Sequence, residues 1–438
     1  MANGGSDGSE ARRCDVLIVG GGPAGASAAA VLAERGHQVV LLEKARHPRF
    51  HIGESLLPAN LPLFDRLGVG ESIRAIGLPK RGAQFHAPHA AAARRFAFAD
   101  SCNKELALAY QVRRSQFDEI LIRRAGALGA HVLEACRAQQ VDFTDPRLVH
   151  VHAEQAGVAR RFAARYLIDA SGRDTFLGNR LGNKRRDRRH ASCAMFAHFT
   201  GVPRDADDAR CGDILLFWID QGWLWFIPLA DGVSSVGAVV WPSYMKSRRQ
   251  DLRAFFLATL ARSPQLSERL AAARLATEVE ATGSYSYRCT RAHGERHLMI
   301  GDAYSFVDPV FSSGVLFAMV GGIAAAEALD VCLREPHRRR AALRRFEHTV
   351  RLGPRRFAWF IHRMTRPAMQ ALFMAPGTSL RMRAALLSLL SGDIFADTPL
   401  WPALRAFQSV YFLTALRMPY RSLHALARRA RELRMSAR

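Results

Sequence analysis

The chain is poor in acidic residues, its cysteines are few and scattered, and it has no hydrophobic run long enough for a bilayer. The seven cysteines, Cys14, Cys102, Cys136, Cys193, Cys211, Cys289 and Cys332, stand far apart in the sequence. Their odd number and spacing suggest neither a disulfide framework nor a metal cluster and fit a reducing cytoplasm. The longest apolar stretch, Val315 to Ala326, is about a dozen residues where roughly 20 are needed, so no transmembrane helix is expected. Met1 to Glu10 is polar and lacks the basic start and apolar stretch of a secretory signal. No internal repeat is visible. Hydrophobic residues make up 49% of the 438 positions and charged ones 23%, which excludes wholesale disorder and leaves room for two joined domains plus an extension.

Positive charge is what the chain has in excess. Against 39 acidic residues stand 62 lysines and arginines, a formal net charge of +23. Such a field attracts nucleic acid, anionic lipid or an acidic protein.

Residues 1–13 read as a disordered tail. Cys14 to Val19 then forms an apolar, β-branched run of the kind found in a buried parallel strand. A glycine loop follows, and Pro23 to Arg35 is alanine-rich and helical. Val39 to Leu42 is a second strand ending at Glu43. Phe117 to Leu128 reads as helix and Tyr166 to Ala170 as strand. From about 190 to 294 short alternating segments, such as Ile214–Trp218 and Ser234–Val240, predict an antiparallel sheet. Beyond about 337 the sequence is rich in arginine and leucine at helical spacing, with breaks expected at Pro354, Pro367, Pro376, Pro399 and Pro402.

Gly20, Gly22 and Gly25 give a GxGxxG pattern between the first strand and helix, with Ala24 inside it. The glycines permit a tight turn, close backbone approach to a pyrophosphate and helix packing, with the phosphates facing the helix N-terminus. Glu43 ends the second strand, where a carboxylate reaches ribose hydroxyls, and Lys44 follows it. Much later, Met299-Ile300-Gly301-Asp302-Ala303 reads as a strand ending in Gly-Asp. Asp308-Pro309-Val310-Phe311-Ser312-Ser313-Gly314 leads into the next helix.

This arrangement resembles the glutathione-reductase-type FAD fold. The resemblance implies that Asp302 binds the ribityl chain and that the helix after Gly314 directs its positive end at the isoalloxazine, with Pro309 and Gly314 beside it. Arg114 and the Asp169–Asp174 turn match further family positions on the diphosphate and adenine side. The expected class is therefore α/β: a Rossmann-like FAD-binding domain with an inserted, mostly antiparallel β-sheet substrate domain and a C-terminal helical region. The FAD-binding domain takes residues 14–189 and 295–336, the sheet domain 190–294 and the basic helical region 337–438.

Two further strings are similar to those of flavin-dependent halogenases. Gly53-Glu54-Ser55-Leu56-Leu57-Pro58 matches a G-E-S-L-L-P segment, placing Glu54 and Ser55 at the cofactor. Trp223-Leu224-Trp225-Phe226-Ile227-Pro228 matches the W-x-W-x-I-P signature. In that family the indoles separate flavin from substrate, so that reduced FAD, O2 and chloride or bromide yield hypohalous acid, which travels through a tunnel to a lysine. Lys80 matches that lysine. The resemblance also implies halide held at the backbone of Ser313 and Gly314. Phe311 stands where tryptophan halogenases carry a glutamate, which points to phenols, pyrroles or acyl groups on a carrier protein rather than free tryptophan. A separate flavin reductase is expected. The rivals on the same fold are a flavin monooxygenase, a prenyl-type reductase and a non-catalytic flavin-binding partner; none of them accounts for Trp223, Trp225 and Lys80.

The charge then has three readings. Arg338–Arg340, Arg344–Arg345, Arg355–Arg356 and Arg428–Arg429 suit an acidic acyl-carrier protein or form a merely solvated face. The amphipathic stretch Leu413 to Met435 suits peripheral contact with an anionic membrane. Nucleic acid is not expected, since no recognition module is present.

Overall fold

The computed structural model describes residues 11–437 apart from 89, 91, 188–189, 206, 284–285, 376–379 and 396–399. Of the expected tail, residues 1–10 lie outside that description. Arg12 and Arg13 do not belong to a tail but open the first strand, pairing with Phe162 and Ala163. Backbone pairing at the strand's start overrides the polar character of the two arginines.

That strand, β1 (Arg12–Val19), is followed by α1 (Pro23–Glu34) and β2 (Val39–Leu42). Val16 to Val19 and the whole of β2 are buried, as continuous apolar runs in a parallel sheet must be. Pro23 sits at the first turn of α1, where its missing N–H costs nothing. A long strand, Val158–Asp169, lies parallel to β1 and is flanked at its far end by His297–Met299. The full order is His131–Leu133, β2, β1, Val158–Asp169, Val149–Gln155, Cys136–Asp142. The C-terminal ends of the parallel strands therefore converge on one edge, where Gly20, Glu43, Ala170 and Gly301 meet.

A second sheet is built around Cys193–Thr200, Ile214–Ile219, Gly222–Pro228 and Ser234–Val240, paired antiparallel. It also takes in Gly82–His86, parallel to Ile214–Ile219, and Arg94–Ala97. The expected boundary at 190 misses these two strands. Both are short; Gly82–His86 joins the sheet through a strand more than a hundred residues on, and Arg94–Ala97 joins it only by pairing with Gly82–His86, so no local pattern ties either to the sheet.

The expected breaks in the C-terminal region need one correction. The helix Arg339–Ile361 runs unbroken through Pro354. Leu343 and Phe346 before the proline, and Phe357, Phe360 and Ile361 after it, are all buried. That packing outweighs the roughly 3 kcal/mol an interior proline costs. Pro367 starts a helix, Pro367–Met374, and Pro402 lies in the first turn of another, Leu400–Arg417; Pro376 and Pro399 fall outside the described residues. The helix Gly314–Arg334 is longer than the apolar dozen read from the sequence, and its length and composition would let it cross a membrane. Most of it is buried against α1 and Arg339–Ile361, the setting of a core helix.

Candidate active site

The glycine loop has the shape that a pyrophosphate requires. A Cβ at Gly20, whose φ is +108°, would stand 2.2 Å from the carbonyl oxygen of Ala170, and one at Gly25 would stand 1.9 Å from that of Gly20. Only hydrogen fits at either place. At Gly22 the nearest atom to such a Cβ is Arg49 Nη2 at 3.6 Å, so its backbone faces open space beside a guanidinium. Ala24 is buried on the first turn of α1.

Glu43 organises the loop. Its carboxylate accepts from the backbone N–H of Gly21 at 2.7 Å and of Ala45 at 2.9 Å. Lys44 is exposed and pairs with Asp174 at 2.5 Å, joining the end of β2 to the Gly172–Asp174 turn. Arg114 does not point outward. Its guanidinium forks onto Asp118 and donates to the carbonyls of Ile52 (2.9 Å) and Gly53 (3.3 Å), fixing the Gly53–Pro58 segment. Within that segment the Glu54 carboxylate meets His198 Nε2 at 2.9 and 3.1 Å. This is a contact to the second sheet that sequence reading did not find; the two residues are 144 positions apart.

Asp302 lies on the turn after His297–Met299. Burial pushes its carboxyl up to about 6, opposed by the Arg173 and Arg114 guanidiniums. Asp302 as a residue is part-exposed, and a carboxylate is an acceptor for hydroxyl hydrogen bonds.

The halide candidates stand at the start of Gly314–Arg334. Pro309 and Gly314 are exposed while Phe311 and Ser313 are buried. Ser312 is left-handed (φ +55°) and Ser313 right-handed (φ −87°), a succession that turns neighbouring N–H groups to one side and makes an anion nest. Ser313 Oγ is buried with no hydrogen-bond partner among the described residues. A buried hydroxyl left unpaired costs free energy, and a ligand at this helix N-terminus would supply its partner. The glycine cradle, the paired Glu43 and this orphaned hydroxyl together fit FAD with a halide beside it.

Asp308 holds the loop in place. One carboxylate oxygen lies 2.8 Å from His190 Nε2 and 3.1 Å from Ser192 Oγ; the other accepts from the Val310 N–H at 3.2 Å. His190 and Ser192 left no signal in the sequence, since a lone histidine before a strand is usually packing.

Lys80 is fully buried. Its Nζ donates to Ser55 Oγ and to the Leu56 carbonyl, each at 2.9 Å, and sits 5.3 Å from the centre of the Phe98 ring. Burial lowers the amine to about 7, with Asp213 a weaker opposing influence. Trp223 and Trp225 lie on one face of Gly222–Pro228, their rings 6.0 Å apart. They belong to the buried cluster that contains Leu57, Val310, Phe311 and Leu316, so the structure joins the tryptophan strand to the loop before Ser313. Trp225 Nε1 donates to Ser235 Oγ at 3.3 Å, and Gly237 leaves room for its ring.

Comparison with known proteins agrees with this geometry. The family model described as FAD binding domain matches residues 13–387. The chain is 33% identical over 344 residues to Flavin-dependent halogenase armH3 of Armillaria mellea, covering 73% of this chain and 68% of that protein. It is 29% identical over 404 residues to the 1H-pyrrole-2-carbonyl-(peptidyl-carrier protein) chlorinase of Pseudomonas fluorescens, covering 87% and 90%. Among solved structures, the myxobacterial chondrochloren halogenase CndH superposes with a TM-score of 0.77 at 31% identity, over 93% of this chain and 97% of that one. The chain belongs to the FAD-binding-domain family and, within it, to the flavin-dependent halogenases, enzymes that use FAD with halide and O2.

Proposed function

We propose that this halogenase acts on an electron-rich aromatic ring, a phenol or pyrrole, or on a polyketide-type acyl group, presented on a carrier protein, and that Lys80 delivers the halogen. The observation that carries the reading is the buried Lys80 amine, held by Ser55 and the Leu56 carbonyl and lowered to about 7.

Bound FAD, delivered reduced by a separate reductase, supplies the electrons by which O2 and halide become hypohalous acid and water. The chain's own residues do the rest. Gly20, Gly22, Gly25, Glu43 and Asp302 would hold the cofactor, and the Ser313 and Gly314 N–H groups would hold the halide. Trp223 and Trp225 stand as an apolar wall that keeps organic substrate away from the cofactor. At Lys80 the acid is either held by an N–H hydrogen bond or passes its halogen to the neutral amine, forming an N–halogen bond as water leaves. The ring then takes the halogen, and its proton returns to the nitrogen. With Phe311 buried against Phe357 at 5.8 Å, no carboxylate stands at that position to remove a ring proton. Activated rings need least help there. Carrier delivery is supported by the relative named for a carrier-bound pyrrole and by the excess of arginine.

The test supplies FAD, a flavin reductase, NADH, O2 and chloride or bromide, and traps hypohalous acid with monochlorodimedone, alongside a phenol or pyrrole offered free or on a carrier. Halide-dependent trapping is expected from both wild type and Lys80→Ala, with ring halogenation lost in the variant. Halogenation of free tryptophan alone would sink the substrate assignment. Hydroxylation independent of halide, with NADPH consumed without the reductase, would replace the reading with a monooxygenase.

A further inference from the structure

Ten large hydrophobic side chains among the described residues are exposed, and six of them, Phe412, Leu413, Leu416, Tyr420, Leu423 and Leu426, fall within one stretch. Scattered singly they would need no explanation; clustered, they mark a contact surface. They lie on the outer face of two consecutive helices, Leu400–Arg417 and Pro419–Ala437. Leu416 is 74% exposed, Tyr420 82% and Leu423 66%, so the turn between the helices projects as an apolar ridge and not as a groove.

The charge on this hairpin has one sign. Arg405, Arg417, Arg421, Arg431 and Arg434 are exposed, while the one acidic residue after position 400, Glu432, is buried and turned inward onto Ser243. A second copy of the chain would oppose arginine to arginine. An acidic carrier protein would satisfy the arginines but leave six protruding apolar side chains against a charged surface. A bilayer with anionic lipid satisfies both. The leucines and Phe412 enter the acyl boundary, Tyr420 takes the interface, and the arginine stems let their guanidiniums reach phosphate.

We propose that the outer face of this helix pair seats the enzyme on an anionic membrane surface. The test uses the full-length protein with vesicles of phosphatidylcholine alone and of phosphatidylcholine with phosphatidylglycerol, read by co-sedimentation. The wild type is expected to bind the anionic vesicles and to release as salt rises. Leu416→Asp combined with Tyr420→Asp and Leu423→Asp should lower partitioning by at least about tenfold. Arg417→Gln with Arg421→Gln should erase the preference for anionic lipid. Retained FAD absorbance and halide-dependent trapping show that the variants are folded. Failure to bind either vesicle, or binding indifferent to the apolar substitutions, overturns the proposal. So does a concentration-dependent dimer, or capture of an acidic carrier protein without vesicle binding, abolished by the same substitutions. Because the readout is sedimentation, a negative result here leaves the halogenation reading standing.

Discussion

Lys80 illustrates a residue whose chemistry follows from where it is put. An amine with an ordinary value of 10.5 falls to about 7 when buried, so near neutrality it is divided between charged and neutral forms. If halogen passes to nitrogen, the rate of ring halogenation should rise with pH through about 7, while hypohalous acid formation, measured by trapping, does not share that limb. Lys80→Arg, charged throughout, should lose transfer across the range. A flat profile for the wild type would exclude the neutral amine as carrier. The same burial affects stability. The folded-state value lies below the unfolded one, so between about 7 and 10.5 the unfolded chain binds more protons, and folding gains stability as pH rises through that window. At pH 7 and below, the buried ammonium opposes folding. Lys80→Met, which removes the charge and keeps most of the volume, should therefore raise the denaturation midpoint at pH 7 while abolishing transfer, as expected where a site is maintained against stability. A lowered midpoint would mean that the bonds to Ser55 and Leu56 outweigh the burial penalty.

At the scale of elements, the segment from Asp308 to Gly314 depends on a clamp that it does not itself contain. His190 and Ser192 hold one oxygen of Asp308 while the other caps Val310, and the left-handed Ser312 follows two residues after Val310. These two are positioning residues. His190→Ala should slacken the nest, raising the halide KM more than it lowers kcat, with Ser192→Ala milder because it removes the longer bond. Bromide and chloride titrations of the trapping rate would decide it. Unchanged halide dependence would reduce the clamp to packing. The strands and helices that carry Gly20, Glu43, Trp223 and Asp302 were legible because each couples a local period to a motif. Pro23 at a helix start and an apolar run before the glycines are signals within a few residues. The contacts that tie the site together were not legible. Glu54 with His198, Asp308 with His190 and Lys80 with Ser55 each join segments more than twenty residues apart, and nothing in one sequence encodes such a pairing locally. For the same reason nothing in the sequence hinted that the Arg114 guanidinium also donates to the Ile52 and Gly53 carbonyls and so ties down the Gly53–Pro58 segment.

Across the whole molecule, the C-terminal helices are part of the core around the tryptophans and not an appendage. Phe373 on Pro367–Met374 packs edge-on to Phe85 at 4.9 Å and to Trp218 at 6.2 Å, and lies 5.4 Å from Phe96. Three strands of the second sheet thus share one helical side chain. The same cluster holds Trp223, Trp225 and Phe311 with Phe357, Phe360, Leu387 and Phe407, and so connects the tryptophan strand to helices up to residue 417. Phe373→Ala should cost about 3–5 kcal/mol, since it leaves a cavity among aromatic rings that cannot all collapse into it. Urea unfolding followed by tryptophan fluorescence should show the midpoint fall, with the sheet and helices still unfolding in a single transition. If the C-terminal region were only loosely attached, the variant would instead release the helices first, seen as early loss of far-ultraviolet ellipticity before the tryptophan signal moves. That outcome would separate the tryptophan wall from the helices and place its support in the sheet alone.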